Sequence, residues 1–158
     1  MREILFRAKR LDNGEWRGST TISKSERLDD GGFDWYIGAG EPANQYMDKQ
    51  GNMVAVETLG ECLFYAIDPD TVGQFTGLTD KNGKKIFEGD IVNIGEHNQM
   101  VNGRYRAIYD TTNHCWGLER SAEHHHHYFT FSELNGFAES SEVIGNIHDN
   151  PELLEVDT

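Results

Sequence analysis

The sequence predicts a mainly β fold, a compact barrel or small sandwich with little helix, and three observations carry that reading. Short apolar runs alternate with polar residues at a period of two, and Gly, Asn and Asp cut them at close intervals. The chain holds 17 glycines and 3 prolines beside 37% hydrophobic residues, a balance suited to many turns rather than to packed helices. One stretch, residues 74–92 (QFTGLTDKNGKKIFEGDIV), unites turn chemistry, alternation and charge. There Asn82-Gly83 signals a tight turn, because both residues tolerate positive φ. Glu88-Gly89-Asp90 makes a second turn, and Ile91, Val92 and Ile94 read as a strand entering the core.

Taken in order, residues 3–9 form the first expected strand, with Ile4, Phe6 and Ala8 on one face. Asp12-Asn13-Gly14 turns it into a returning strand at residues 15–17. Residues 19–32 are polar and charged, with a turn at 29–32. Residues 33–37 (FDWYI) are strand-like, and 38–51 read as a loop. Runs at 53–57 and 62–67 are further strands, a short helix at 58–65 being the alternative. Asp68-Pro69-Asp70 punctuates the end of this portion. Beyond the central stretch come a polar loop at 95–103 and strands at 104–109, 114–118, 128–131 and 142–148. Trp116 is the expected core anchor of the second of these. Asn150 is an expected cap, with Pro151 at the first position of a final turn.

Length suits one domain, 1–158, with N-terminal strands and loops at 1–70 and the core at 71–158. No apolar run reaches the roughly 18 residues of a membrane span, and MREILFRAKR is too polar for a signal peptide. Cys62 and Cys115 stand in unrelated contexts, so the expectation is an intracellular protein with free thiols. Net charge is −13, with residues 1–60 at −2 and residues 61–158 at −11. Residues 138–158 carry six acids and no base. Such a field repels a nucleic-acid backbone and could suit a basic protein partner. The simpler and preferred reading is a solvated acidic surface that aids solubility.

Candidate chemistry is sparse. The run His124 to His127 would place His124 and His126 on one face of a strand, enough to hold a divalent ion weakly but one ligand short of a catalytic zinc site. Asp68, Asp70, Asp80, Glu88 and Asp90 could form paired carboxylates. Each lies at a turn, however, where a short acid satisfies backbone N–H groups, so Asp80, Asn82, Gly83, Glu88, Gly89 and Asp90 are assigned a structural turn role. His114 and Cys115 would face opposite sides of a strand, which argues against a nucleophile pair. No nucleophile elbow, P-loop or dinucleotide fingerprint occurs. No catalytic, cofactor-binding or metal residue is assigned.

Three segments resemble the YopX family of phage and prophage proteins. These are VGQFTGLTDKNGKKIFEGDIV at residues 72–92, MREILFRAKR at 1–10 and EVIGNIHDNPELLE at 142–155, in the family's order and spanning nearly the whole chain. The resemblance implies an SH3-like barrel core and a phage-encoded protein in a bacterial cytoplasm. It supplies no activity, substrate or catalytic residue. The expected function is therefore that of a non-enzymatic accessory protein acting through protein–protein contacts, with itself as a homo-oligomer or with a host or phage protein. The alternative is a small barrel that binds nucleic acid through Phe33, Trp35, Tyr36, Tyr105 and Arg106. A metal-dependent hydrolase using His124 and His126 is the third reading.

Overall fold

The structure, a computed structural model, describes residues 3–27, 30–39, 46–47, 53–54, 63–95, 102–122, 125–131 and 140–155. For residues 39, 46, 47, 53, 54, 63, 121, 122 and 125–127 it describes the backbone alone. The chain divides into an N-terminal unit, residues 4–73, and a C-terminal unit, residues 74–158 together with 1–3. The mainly β class holds: among the described residues the helical elements that have a defined range are the short 3-10 turns Pro69–Thr71 and Pro151–Leu154.

In the N-terminal unit β1 (Phe6–Lys9) and β2 (Trp16–Ser19) form an antiparallel hairpin that sets Lys9 opposite Trp16 and Ala8 opposite Arg17. Gly14, at φ +73°, closes the turn by donating to the Arg10 carbonyl at 3.0 Å. Ala8 is fully buried, but Ile4, on the same expected face, is 57% exposed. It precedes the first paired residue, so no neighbouring strand covers it. β3 (Thr21–Glu26) corrects the reading of residues 19–32 as polar connection alone. Its polar side chains hide a strand because pairing comes from the aromatic β4 (Phe33–Ala39), which sets Ile22 against Ile37 and Lys24 against Trp35. Two short pieces, β5 (Tyr46–Met47) and β6 (Met53–Val54), pair with each other, and β7 (Leu63–Ile67) pairs with β4. Leu63 to Tyr65 are thus strand, not the alternative helix.

Ala8, Ile37 and Ile67 form the fully buried centre of this unit, with Ile22, Trp35, Tyr65 and Val72 packed around them. Each buried isoleucine contributes roughly 1.5–3 kcal/mol. Thr71, in the 3-10 turn Pro69–Thr71, ties the core to β1. Its hydroxyl donates to the Asp68 carbonyl at 2.7 Å and accepts from the Lys9 N–H at 2.9 Å.

In the C-terminal unit β8 (Gly73–Thr79) and β9 (Lys85–Phe87) pair antiparallel, with Phe75 opposite Phe87. Then come β10 (Asp90–Ile94), β11 (Gly103–Asp110), β12 (Cys115–Ala122), β13 (His125–Thr130) and β14 (Ser141–Asn146). They make one antiparallel sheet in the order β13-β12-β11-β10-β14. Its core holds Ile86, Val92, Ile94, Tyr105, Ala107, Leu118 and Val143. Ile91, on the opposite face of β10 from Val92, is also fully buried, so this strand is covered on both faces.

Trp116 is only half-buried and lies outside this core, where Leu118 takes the inward place. It packs edge-on against Tyr109, itself 40% exposed, with ring centroids 5.1 Å apart. The final 3-10 turn, Pro151–Leu154, begins with proline, but Asn150 makes no side-chain cap bond. Gly145 makes room for that turn: a Cβ there would lie 2.6 Å from Asn150 Oδ1 and 2.9 Å from Leu153 Cδ1.

Candidate functional site

The acidic residues of the central stretch are occupied by backbone. Asp80 is 4% exposed, and its Oδ1 accepts from the N–H groups of Asn82 at 2.8 Å and Lys84 at 2.9 Å. Its Oδ2 accepts from the Val143 N–H at 2.9 Å. Burial opposes the Asp80 charge, yet these three donors and the Lys84 ammonium outweigh it and hold the carboxyl below its usual range. Gly83, at φ +78°, returns an N–H to the Asp80 carbonyl at 2.9 Å. Lys81 pairs with Glu142 at 2.6 Å, and its N–H donates to the Ser141 carbonyl at 3.0 Å. The hairpin tip thereby caps the outer edge of β14, which would otherwise present open backbone groups.

The second turn is similar. Asp90 is 1% exposed and accepts from the Phe87 N–H at 2.8 Å. Gly89, at φ +78°, donates to the Ala107 carbonyl and accepts from the Ile147 N–H, both at 2.9 Å. Burial pushes the Glu88 carboxyl up, more than the Gln74 backbone and Arg106 draw it down. Asp68 accepts from the Asp70 N–H at 3.1 Å.

The histidine run is described only in part. His124 lies outside the described residues, and of His126 the structure gives the backbone, in β13 opposite Ser121. Among the described residues no three His, Cys, Asp or Glu side chains gather as a metal would require. His114 sits in the turn before β12 at φ 53°, while the Cys115 thiol lies 3.4 Å from the Tyr128 hydroxyl. Burial, then the neighbouring thiol and Asp110, push that phenol well above its ordinary range, so it holds its proton at neutral pH.

A group of paired cations and aromatic rings lies in the N-terminal unit. Arg7 and Lys9 stand 4.7 and 5.8 Å from the Trp16 ring centroid. Arg10 and Arg17 stand 4.0 and 5.0 Å from Tyr65, and Lys24 4.2 Å from Phe33 and 5.6 Å from Trp35. The strand registers explain the contacts with Trp16, Phe33 and Trp35: a cation directly or diagonally across from an aromatic shares its face. Phe33 is 47% exposed. Of the residues proposed for nucleic-acid contact, Tyr105 is buried at 3% and packs edge-on against Phe129, and Arg106 is paired with Glu119. Sequence reading missed Lys24, because it lies in a segment without apolar alternation, and Tyr65, because its basic partners are distant in sequence.

Fold and side-chain chemistry together define a mainly β protein in which Asp80 and Asp90 accept backbone N–H groups at turns and basic side chains of the N-terminal unit lie over aromatic rings. The chain belongs to the YopX protein family, whose model matches residues 5–155. A crystal structure titled protein EF1440 from Enterococcus faecalis is similar at 22% identity and a TM-score of 0.44, covering 98% of this chain and all of that one. No curated protein matches the chain. Among the described residues no helix is long and apolar enough to cross a membrane.

Proposed function

We propose that this is a non-enzymatic, phage-encoded accessory protein with an SH3-like barrel core, acting in a bacterial cytoplasm through protein–protein contacts. The observation that supports it is the cation–aromatic group on β1–β4 and β7. Arg, Trp and Tyr dominate the energetics of protein interfaces. Here the rings already hold the basic side chains in place, which lowers the entropy lost on binding. A group of basic side chains, of which Arg10 is already paired with Asp12, would select an acidic partner segment. Residues 138–158, with six acids and no base, offer one on a second copy.

Light scattering at low and high salt tests the reading. We expect a dimer at low salt that dissociates in Lys24→Glu and Phe33→Ser. A strict 17.9 kDa monomer at both salts would sink the self-contact. Identical capture of lysate proteins by the wild type and both variants would sink partner binding through this face.

The same group favours a second reading, single-stranded nucleic acid, since bases stack on aromatic rings beside cations. Against it, the rings already carry cations, Tyr105 is buried and the net charge repels phosphate. Salt-dependent retention of single-stranded DNA, lost in Lys24→Glu, would favour this reading over the first.

A further inference from the structure

The C-terminal unit holds a cavity of about 300 Å³ lined by Asn93, Gly103, Arg104, Arg120, Leu153, Leu154 and Glu155. We propose that it binds a small organic carboxylate with an aliphatic body. Arg104 on β11 sits directly across from Asn93 on β10, so both occupy the same face of the sheet. One of its N–H groups donates to the Leu153 carbonyl at 3.3 Å, which places the guanidinium beside the final 3-10 turn. Arg120, on β12 and by parity on the opposite face from Arg104, lines the cavity at its Gly103 edge. A Cβ at Gly103 would lie 2.6 Å from Arg120 Nη1, and the Gly103 backbone adopts φ +136°. Glycine at 103 therefore opens the route that brings the second guanidinium in.

Among the described residues no carboxylate is ion-paired with either guanidinium, although acids outnumber bases 27 to 14 in this chain. Two arginines against Glu155 leave the lining with one positive charge, matching a monoanion better than a phosphate dianion. A guanidinium fork suits the two oxygens of a carboxylate. Leu153 and Leu154 contribute the smaller, apolar part of a mostly polar lining, and the volume stands at the small end of the range for ligand pockets. The pocket is separate from the cation–aromatic group and does not rest on the function proposed for it.

Hexanoate, hexanol and inorganic phosphate are the probes, titrated while amide resonances are followed by NMR. Hexanoate is expected to shift the Gly103 and Leu154 amides saturably, and hexanol, which lacks the charge, to leave them in place. Arg104→Gln and Arg120→Gln should each weaken hexanoate by about tenfold, the loss of one charge-assisted contact. Glu155→Gln should tighten it by removing repulsion. The spectra themselves report whether each variant is folded, and Arg104 and Glu155 are both exposed, so their replacement spares the core. The proposal is overturned if hexanoate produces no saturable shift, if hexanol matches it, if phosphate binds the same amides more tightly, or if Arg104→Gln binds hexanoate as well as the wild type does.

Discussion

The Asp80 Oδ2 accepts the Val143 N–H at 2.9 Å, joining a hairpin tip to a strand 63 residues further along. The same carboxylate organises its own turn through Asn82 and Lys84. One buried side chain therefore fixes both a local conformation and a long-range register. Asp80→Ala leaves three N–H groups without their acceptor and should cost about 2–4 kcal/mol. Chemical denaturation of the variant checks it, and a midpoint equal to the wild type's would remove Asp80 from this role.

The pH dependence at this residue has a definite sign. The folded Asp80 carboxyl titrates below its ordinary value, through its backbone donors prevailing over burial. Its contribution is complete above the unfolded pKa of about 3.9 and is lost as pH falls through the lower folded value. Asp80→Asn should therefore destabilise most at neutral pH, and its deficit relative to the wild type should shrink in acid. A deficit constant from neutral pH to strong acid would contradict this.

Glu88 should behave oppositely. Burial raises its folded pKa, so ionisation weakens the fold as pH rises past the ordinary carboxylate range. Glu88→Gln should raise the melting temperature at neutral pH and change it little in acid. A variant less stable at neutral pH would show that the charge is compensated.

Gly83 separates strain from crowding. Its φ is +78°, and nothing lies within 4 Å of where a Cβ would stand. Gly83→Val should cost about 1–3 kcal/mol from backbone strain alone. Gly83→Asn should cost less, because asparagine tolerates this conformation. Equal melting temperatures for the two variants would point to a different cause.

Ser141 is fully buried, and its hydroxyl has no hydrogen-bond partner among the described residues. Ser141→Ala removes the cost of that desolvated group and should be neutral or stabilising by up to about 2 kcal/mol. Thermal melting measures it, and clear destabilisation would reveal a partner for the hydroxyl.

The sequence by itself determined the β class and the principal turns, because those depend on local steric rules. Gly83 and Gly89 mark turns where the backbone takes positive φ, although Asn82 keeps a negative one, and the alternation of residues 104–107 shows which side chains can share a face. Burial depends on what stands opposite, which alternation cannot state. Ile4 and Ala8 share one parity, yet only Ala8 has a neighbouring strand to cover it. Trp116 has the size of a core anchor, but the register of β11 and β12 places it against exposed Tyr109 and leaves the centre to Leu118. β3 was illegible for the same reason: its stability comes from the aromatic partner across from it. Only the tertiary structure decided which distant residues meet. Asp80 with Val143 and Arg10 with Tyr65 each join chain positions far apart in sequence, whose proximity depends on how strands pair.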